Sequence, residues 1–418
     1  MHVTLVTYGS RGDTQPFIAL GVGLLRAGHT VHLAAPERFA AQAASYGLAF
    51  TPLPGDVEAM TRTLVEEAGA SVPRLLSVMI RATLEVVGGV TEGVYRATAG
   101  ADVVVHSFLT AASGHSAARL RGARDISAQV FPFFAPTGVF PQISARELPL
   151  GPAYNRLTHR LSSSVIRLVT TWSYNLSQWG RHNPLAPLRW PDVGGRTPVL
   201  QAYSPLIVPR PPDWPASIIQ TGYWFLDEGA RYTPSAALAT FLERGAPPVV
   251  IGTGSIGGAQ ARRLLETSVS ALHLAGRRGV LLSGWVGDAD LEALPGYGEQ
   301  FIVLREAPHD WLYPRASVVV HHGGAGTTGA ALRAGVPAVV TPFIADQFFW
   351  ARRAHRLGVG PAPLPAAQLS PEMLADAIRR AEDPTIRRRA AAVGACVRAE
   401  DGIGAAIRAI EALGGVYR

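Results

Sequence analysis

The sequence predicts an α/β protein made of two doubly wound, parallel-sheet domains. Three observations carry that prediction. Short apolar, β-branched runs recur along the chain without polar alternation, as in strands covered on both faces. Helix-like stretches separate them, which is the order that a parallel sheet with crossover helices requires. The chain has 418 residues, more than one hydrophobic core ordinarily organises, so it divides.

In the first half the strand candidates are His2–Tyr8, Thr30–Ala34 and Asp102–His106. In the second half they are Pro248–Gly252, Gly279–Ser283, Phe301–Leu304, Ser317–His321 and Pro337–Thr341. Between the halves, Tyr203–Pro215 holds five prolines in thirteen residues, which neither a helix nor a central strand tolerates. The boundaries expected are therefore a domain over 1–204, a linker over 205–217 and a domain over 218–418. The chain is helical from about Ser370, and its last helix is free to pack back on the first domain.

One stretch departs from the strand–helix rhythm. From Asn155 to Arg181, apolar residues fall at Leu157, Leu161, Val165, Leu168, Trp172, Leu176 and Trp179. Steps of three and four make an amphipathic helix, with Arg156, Arg160 and Arg167 on a neighbouring face. Its apolar face either packs on the core, walls an apolar pocket, or touches a membrane surface.

Composition removes several chemistries. All 38 cations are arginine and none is lysine, so a P-loop lysine, a Schiff-base lysine and the strand lysine of a protein kinase are all missing. Cys396 is the single cysteine, which excludes an internal disulfide, cysteine-ligated zinc and an iron–sulfur cluster. The net charge of +7 is spread without long basic runs, so solvated helix faces explain it better than nucleic acid does. No signal-peptide pattern and no membrane-length apolar run is visible, and the expected location is cytoplasmic.

Four loops carry chemistry. His321-His322-Gly323-Gly324-Ala325-Gly326-Thr327-Thr328 follows a strand and opens a helix. Small residues allow close backbone approach, and the helix start offers N–H groups and partial positive charge to a diphosphate. Adjacent histidines at a strand end point to opposite sides, so they do not chelate one metal together. Gly252-Thr253-Gly254-Ser255-Ile256-Gly257 is literally G-x-G-x-x-G. The next strand lacks the acidic residue that would hold a dinucleotide's ribose, so Ser255 at a helix start suits a phosphate better.

The third loop, Tyr8-Gly9-Ser10-Arg11-Gly12-Asp13-Thr14-Gln15-Pro16, sits at the carboxyl edge of the first strand. Asp13 either caps a helix beginning near Gln15 or aims a carboxylate at an incoming hydroxyl as a general base. In the fourth, Asp346-Gln347 follows a strand and suits bidentate hydrogen bonding to sugar hydroxyls, or a helix cap. Asp288-Ala289-Asp290 is a D-x-D in a polar turn that no strand delivers, a decoy for a metal site.

Taken together, the Gly9–Phe17 loop, Pro308-His309-Asp310-Trp311-Leu312, His321–Thr328, Gly335-Val336-Pro337 and Asp346-Gln347-Phe348 resemble a family-1 nucleotide-sugar glycosyltransferase. The likeness is to the sterol glucosyltransferase-like and antibiotic-aglycone branch. It implies the GT-B fold, two facing Rossmann-like domains with a cleft between them, the acceptor bound by the first and the donor by the second. It also implies metal-independent, inverting transfer of a hexose, glucose first, from a UDP- or TDP-sugar that serves as co-substrate; no cofactor is implied.

Carried over by position, Asp13 matches the base. His322, Gly324, Ala325, Gly326, Thr327 and Ser255 match the diphosphate contacts, and Asp346 and Gln347 match the sugar contacts. Ala307 and His309 flank the nucleobase-side loop, while Ser10, Arg11, Gly12 and Thr14 complete the first loop. Glu306 stands where plant members stack a tryptophan on the base, and Ala330 where they grip the ribose with a glutamate.

Phe131, Phe133, Phe134 and Trp172 are the acceptor-pocket candidates, for a lipophilic alcohol of sterol, terpenoid, polyketide or flavonoid type. A monomer or weak dimer, with peripheral membrane contact, completes the expectation. Three other readings remain open at this point: an NAD(P)-dependent oxidoreductase using Gly252–Gly257, a sugar-nucleotide hydrolase or epimerase, and a sugar-nucleotide-binding protein without transfer activity.

Overall fold

A computed structural model describes residues 1–57, 59, 72–177, 185, 187–254, 258–284 and 289–415. It forms two compact units, Met1–Leu226 with Asp401–Arg418, and Asp227–Glu400.

In the first unit the strands are β1 (His2–Val6), β2 (Thr30–Pro36), β3 (Ala49–Leu53), β4 (Val103–His106), β5 (Arg124–Gln129), β6 (Val199–Gln201) and β7 (Ile218–Gln220). They form one parallel sheet in the order β3-β2-β1-β4-β5-β6-β7. Helices α1 (Arg11–Arg26), α2 (Ala40–Ser45), α3 (Val72–Ala97), α4 (Ala111–Arg121) and α5 (Gly151–Leu176) fall between the strands in sequence. Alternate strand residues feed two cores: Val3, Leu5, Leu33 and Val105 enter one, and Val6, Ala34, Leu53 and Val104 the other. That two-sided burial is why these strands read as continuous apolar runs.

The chain's final helix, Gly402–Gly415, belongs to this unit: its Ala406 and Ile410 enter the first of those cores. It lies so near α1 that a Cβ on Gly23 would overlap Ile403. The boundaries differ from 204 and 218, because β7 extends the first sheet and the unit runs to Leu226. The proline-rich stretch is an ordered connection within that unit rather than a linker between two. Trp214 Nε1 donates to the Ala135 carbonyl at 3.2 Å, and Arg210 donates to the carbonyls of Trp214 and Pro215 at 2.9 and 2.8 Å.

The second unit holds β8 (Val249–Gly252), β9 (Gly279–Leu282), β10 (Phe301–Leu304), β11 (Val318–His321) and β12 (Ala338–Val340), all parallel in the order β10-β9-β8-β11-β12. Its helices are α6 (Ala236–Glu243), α7 (Gly258–Ala275), α8 (Ala289–Glu292), α9 (His309–Leu312), α10 (Ala325–Ala334), α11 (Gln347–Arg356), α12 (Pro371–Ala381) and α13 (Pro384–Ala399). Ser370 and Asp383 cap α12 and α13 through their side chains, accepting from Met373 N and Thr385 N. Among the described residues no helix is long and apolar enough to cross a membrane.

Candidate active site

Each sheet reverses its strand order once, between β1 and β4 in the first unit and between β8 and β11 in the second. At such a point the loops leaving the two strands go to opposite faces and open a crevice at their carboxyl ends. Asp13 follows β1 and His322 follows β11, each beside such a point, whereas Ala307 and His309 follow β10, and Asp346 and Gln347 follow β12, at the sheet's edges.

In the first unit, β1 ends in a turn whose Gly9 has φ +142°, in the region that favours glycine. Ser10 then caps α1, and Asp13 is the third residue of that helix rather than a residue before it. Asp13 Oδ2 accepts from Ser10 N at 2.8 Å and from Ser10 Oγ at 2.9 Å. The bond from the Ser10 amide is the carboxylate's half of a capping box, so the carboxylate does satisfy the helix end. Both of these bonds fall on Oδ2, and Oδ1 carries no hydrogen bond among the described residues. A Cβ on Gly9 would overlap the carboxylate, so glycine is needed there twice over.

Burial pushes the Asp13 carboxyl above its ordinary value, opposed by the Ser10 hydrogen bonds and by the charge of Arg38. A raised carboxyl is a better proton acceptor than an exposed one, provided it remains ionised. Asp13 lines a small pocket together with Tyr8, Phe17, Ser107, Phe108 and Phe131.

Phe131 is one of the residues lining this pocket. Phe133 and Phe134 are buried behind it against Phe108, with ring centroids 4.3 and 5.3 Å from that residue. Trp172 is not among the residues lining this pocket; it is exposed on α5. Of the remaining first-loop residues, Thr14 is buried, Gly12 is exposed, and Arg11 opens α1.

A buried polar network went unseen in the sequence. His106 Nε2 bonds Asp125 Oδ1 at 2.8 Å, His115 Nδ1 bonds Asp125 Oδ2, and Thr197 Oγ1 donates to the same Oδ2 at 2.8 Å. Burial works against the Asp125 carboxylate, but His106, followed by His115, holds it well below the ordinary range. The network ties β4, α4 and β5 together directly before Ser107 and Phe108 of the pocket wall. Its members lie far apart in sequence and form no motif; a histidine closing a strand was the one available hint.

In the second unit, β11 delivers His321 and His322, both buried. Their rings stand nearly perpendicular, with centroids 6.5 Å apart. His321 Nδ1 accepts from Gly323 N at 3.0 Å, which fixes that ring within the loop. The His322 ring lies between Gly254 and Gly324, since a Cβ on either would overlap it. Gly254 has φ +61°, the left-handed conformation that glycine supplies without penalty. Burial pushes His322 down to about 4, and burial with its histidine neighbours takes His321 to about 3. Both are neutral near pH 7, so His322 offers an N–H dipole rather than a full charge.

Gly324 is the N-cap of α10, and Thr328 N returns to its carbonyl at 2.9 Å. The first-turn amides of Ala325, Gly326 and Thr327 therefore stand where the helical ladder leaves N–H groups unpaired. Ser255, Ile256 and Gly257 lie outside the described residues, as does Asp288 of the D-x-D.

Asp346 is the N-cap of α11, but its Oδ2 accepts from Trp350 Nε1 at 3.0 Å rather than from a backbone amide. Gln347 Oε1 accepts from Phe343 N at 2.8 Å and Ile344 N at 3.1 Å, closing the preceding loop on itself. Ala345 just before them has φ +51°, the one non-glycine residue in that region among the described residues. Ala307 is buried, and His309 stacks on Tyr313 with centroids 4.4 Å apart. Among the described residues no group of three or more His, Cys, Asp or Glu is placed to hold a metal.

Residues 3–105 match the model of the glycosyltransferase family 28 N-terminal domain, and residues 290–402 that of the erythromycin biosynthesis protein CIII-like C-terminal domain. The chain is 36% identical to O-mycaminosyltylonolide 6-deoxyallosyltransferase of Streptomyces fradiae, over 96% of this chain and 95% of that protein. The chain belongs to the antibiotic and sterol glycosyltransferases. This glycosyltransferase is also 32% identical to sterol 3-beta-glucosyltransferase UGT80B1 of Arabidopsis thaliana, over 98% of its own length and 67% of that protein's.

The fold of the glycosyltransferase is GT-B. The crystal structure of the kitacinnamycin glycosyltransferase superposes with a TM-score of 0.71 at 21% identity, covering 99% and 98% of the two chains. That of VinC in complex with DTDP does so at 0.63 and 19%, covering 99% and 100%. These likenesses give no support to the dinucleotide-oxidoreductase reading of Gly252–Gly257.

Proposed function

We propose that this glycosyltransferase moves a hexose, with glucose as the first candidate, from a UDP- or TDP-sugar to a hydroxyl of a lipophilic acceptor, with inversion at the anomeric carbon. The observation that carries the reading is the pocket in which Asp13, with Oδ1 free of hydrogen bonds among the described residues, faces an apolar, aromatic wall. A rigid polycyclic alcohol of sterol or macrolide type suits such a wall, and its hydroxyl would meet the carboxylate.

The step follows from this chemistry. Asp13 takes the hydroxyl proton while the acceptor oxygen bonds to the anomeric carbon on the face opposite the nucleotide. The bond from that carbon to the diphosphate oxygen breaks, and the nucleoside diphosphate leaves with the electron pair. Its growing charge is met by the N–H of neutral His322 and by the amides of Ala325, Gly326 and Thr327 at the start of α10. Ser255 is proposed as a further phosphate contact.

Asp346 and Gln347 are assigned to the sugar hydroxyls. Gln347 has its Oε1 committed to the loop, so its Nε2 is the group available to donate. Ala307 and His309 lie on the nucleobase side, without the stacking tryptophan or ribose glutamate of plant relatives.

A mass-spectrometric screen of UDP- and TDP-sugars against a panel of sterols, macrolide aglycones and flavonoids tests the proposal. A gain of one hexose on a lipophilic alcohol is expected, with the β-anomer formed from an α-configured donor. Turnover of donor to free sugar alone, across the whole panel, would favour hydrolysis and overturn it.

A further inference from the structure

Helix α5 is built inside out. Its buried positions are Asn155, His159, Val169, Ser173 and Tyr174, four of them polar. Asn155 Nδ2 donates to the Gly138 carbonyl at 2.8 Å, and His159 Nε2 bonds the Phe140 carbonyl at 3.1 Å. The leucine stripe whose spacing suggested a core face points to solvent instead. Leu157, Leu161, Val165, Leu168, Trp172 and Leu176 are all exposed, Leu168 by 70% and Leu161 by 57%. Leu150, just before the helix, is exposed by 61%.

Such a stripe over 157–176 spans roughly 30 Å, far more than the scattered exposed leucines normal on a protein surface. Arg156, Arg160 and Arg167 are also exposed and form a row beside it at helical spacing. The helix has no Asp or Glu. Arg156 also pairs with Asp213 at 3.3 Å, while Arg167 lies over the Trp190 ring.

Charge decides which occupant suits this face. A second copy would bring two arginine rows together with no carboxylate on either helix to offset them. An anionic surface supplies the missing negative charge and also takes up the leucines and the tryptophan. Leucines and an aromatic ring on one face with arginines beside them are the features of a helix lying in the plane of a bilayer surface. We infer that the outer face of α5 docks on an anionic lipid bilayer. The helix lies along the interface rather than crossing it. Docking there would hold the glycosyltransferase where lipophilic alcohols partition.

The test is co-sedimentation of the full chain with sucrose-loaded vesicles, either phosphatidylcholine alone or phosphatidylcholine with an equal share of phosphatidylglycerol, in about 50 mM salt. Arg160 and Arg167 near the surface should favour the anionic vesicles by about tenfold or more, and about 0.5 M salt should remove most of that preference. Leu161→Ser with Leu168→Ser, and separately Arg160→Glu with Arg167→Glu, should each weaken binding at least tenfold. All four side chains are exposed, so the far-ultraviolet dichroism of both variants should match that of the parent, with the Arg167 contact on Trp190 lost in the second.

Absent binding, equal binding to both vesicle types, or binding that the folded variants retain would each overturn the inference. So would a concentration-dependent dimer in sedimentation velocity that Leu168→Ser abolishes without any vesicle binding, which would assign the face to a second copy. The assay contains neither donor nor acceptor, so its failure leaves the proposed transfer reaction untouched, and a failed transfer screen leaves the docking result standing.

Discussion

Replacing Asp13 by Asn removes the proposed base while disturbing little else. The carboxylate spends one oxygen on the helix cap, taking the Ser10 N–H at 2.8 Å and the Ser10 hydroxyl at 2.9 Å. An amide oxygen in the same position accepts both bonds, so the cap survives. The loss of negative charge in the first turn of α1 costs about 0.3–1 kcal/mol. A term of opposite sign accompanies it. Burial has raised the Asp13 carboxyl, so its stabilising effect is complete at low pH and is lost as pH rises through the raised value. Near pH 7 the ionised group therefore costs stability, and the amide relieves that cost. The two terms offset, and the Asn variant should melt within a few degrees of the parent at pH 7, gaining relative to it as pH rises from about 4.

The kinetic effect should be much larger. General-base catalysis contributes about 10²–10⁴-fold, equivalent to about 3–5 kcal/mol of barrier. The measurements are kcat and KM for hexose transfer at saturating acceptor, donor Kd by calorimetry, and thermal melts across pH. The parent should lose kcat/KM on the acid side as Asp13 protonates, and the variant should lack that limb. A kcat within threefold of the parent would refute the assignment. So would an equal collapse of donor affinity, which would make Asp13 a donor-binding residue instead.

Four further outcomes follow from the second unit. His322→Ala should weaken UDP or TDP binding and lower kcat together, with donor affinity of the parent flat from pH 8 down to about 5, because the ring is already neutral there; calorimetry across pH checks both. The histidine pair has values below the ordinary 6.5, so the stability they confer is complete above about 6.5 and is lost as pH falls towards 4 and 3; acid melts of His321→Gln should show reduced acid sensitivity. Gly254→Ala should cost about 1–2 kcal/mol for its left-handed backbone and displace the His322 ring, lowering nucleotide affinity; an unchanged Kd would count against the cradle. Ala345→Gly should raise the melting temperature, since relief of the same backbone penalty exceeds the roughly 0.5–1 kcal/mol entropy cost of glycine.

The strands readable in advance were those whose both faces are covered. All eight candidates correspond to observed strands, because burial on two sides writes an uninterrupted apolar run. Four others left weaker traces. β3 carries Pro52 at the sheet edge, β5 begins Arg124-Asp125 with its carboxylate in a histidine network, and β6 and β7 are three residues each. Missing β6 and β7 also turned an ordered proline-rich crossover into an apparent linker.

The glycines and histidines of the loop over 321–328 were legible because they are contiguous in sequence, whereas the approach of Gly254 to the His322 ring is made through space. The pocket around Asp13 was legible only in part, since Phe17, Ser107 and Phe108 join it from separate elements. Helix α5 shows the limit of periodicity most directly. Steps of three and four show that one face is apolar, and they say nothing about what that face meets.

What the linear order of residues settled was therefore local. It set the parallel α/β class, the absence of lysine chemistry, and the loops where backbone amides, a histidine and a carboxylate stand in sequence. Packing decided the rest: that Asp13 spends one oxygen on its own helix cap and keeps the other, that two glycines enclose His322 and leave it uncharged, and that a leucine stripe faces outward. Each depends on neighbours brought together through space, whose volume and charge no spacing along the chain encodes.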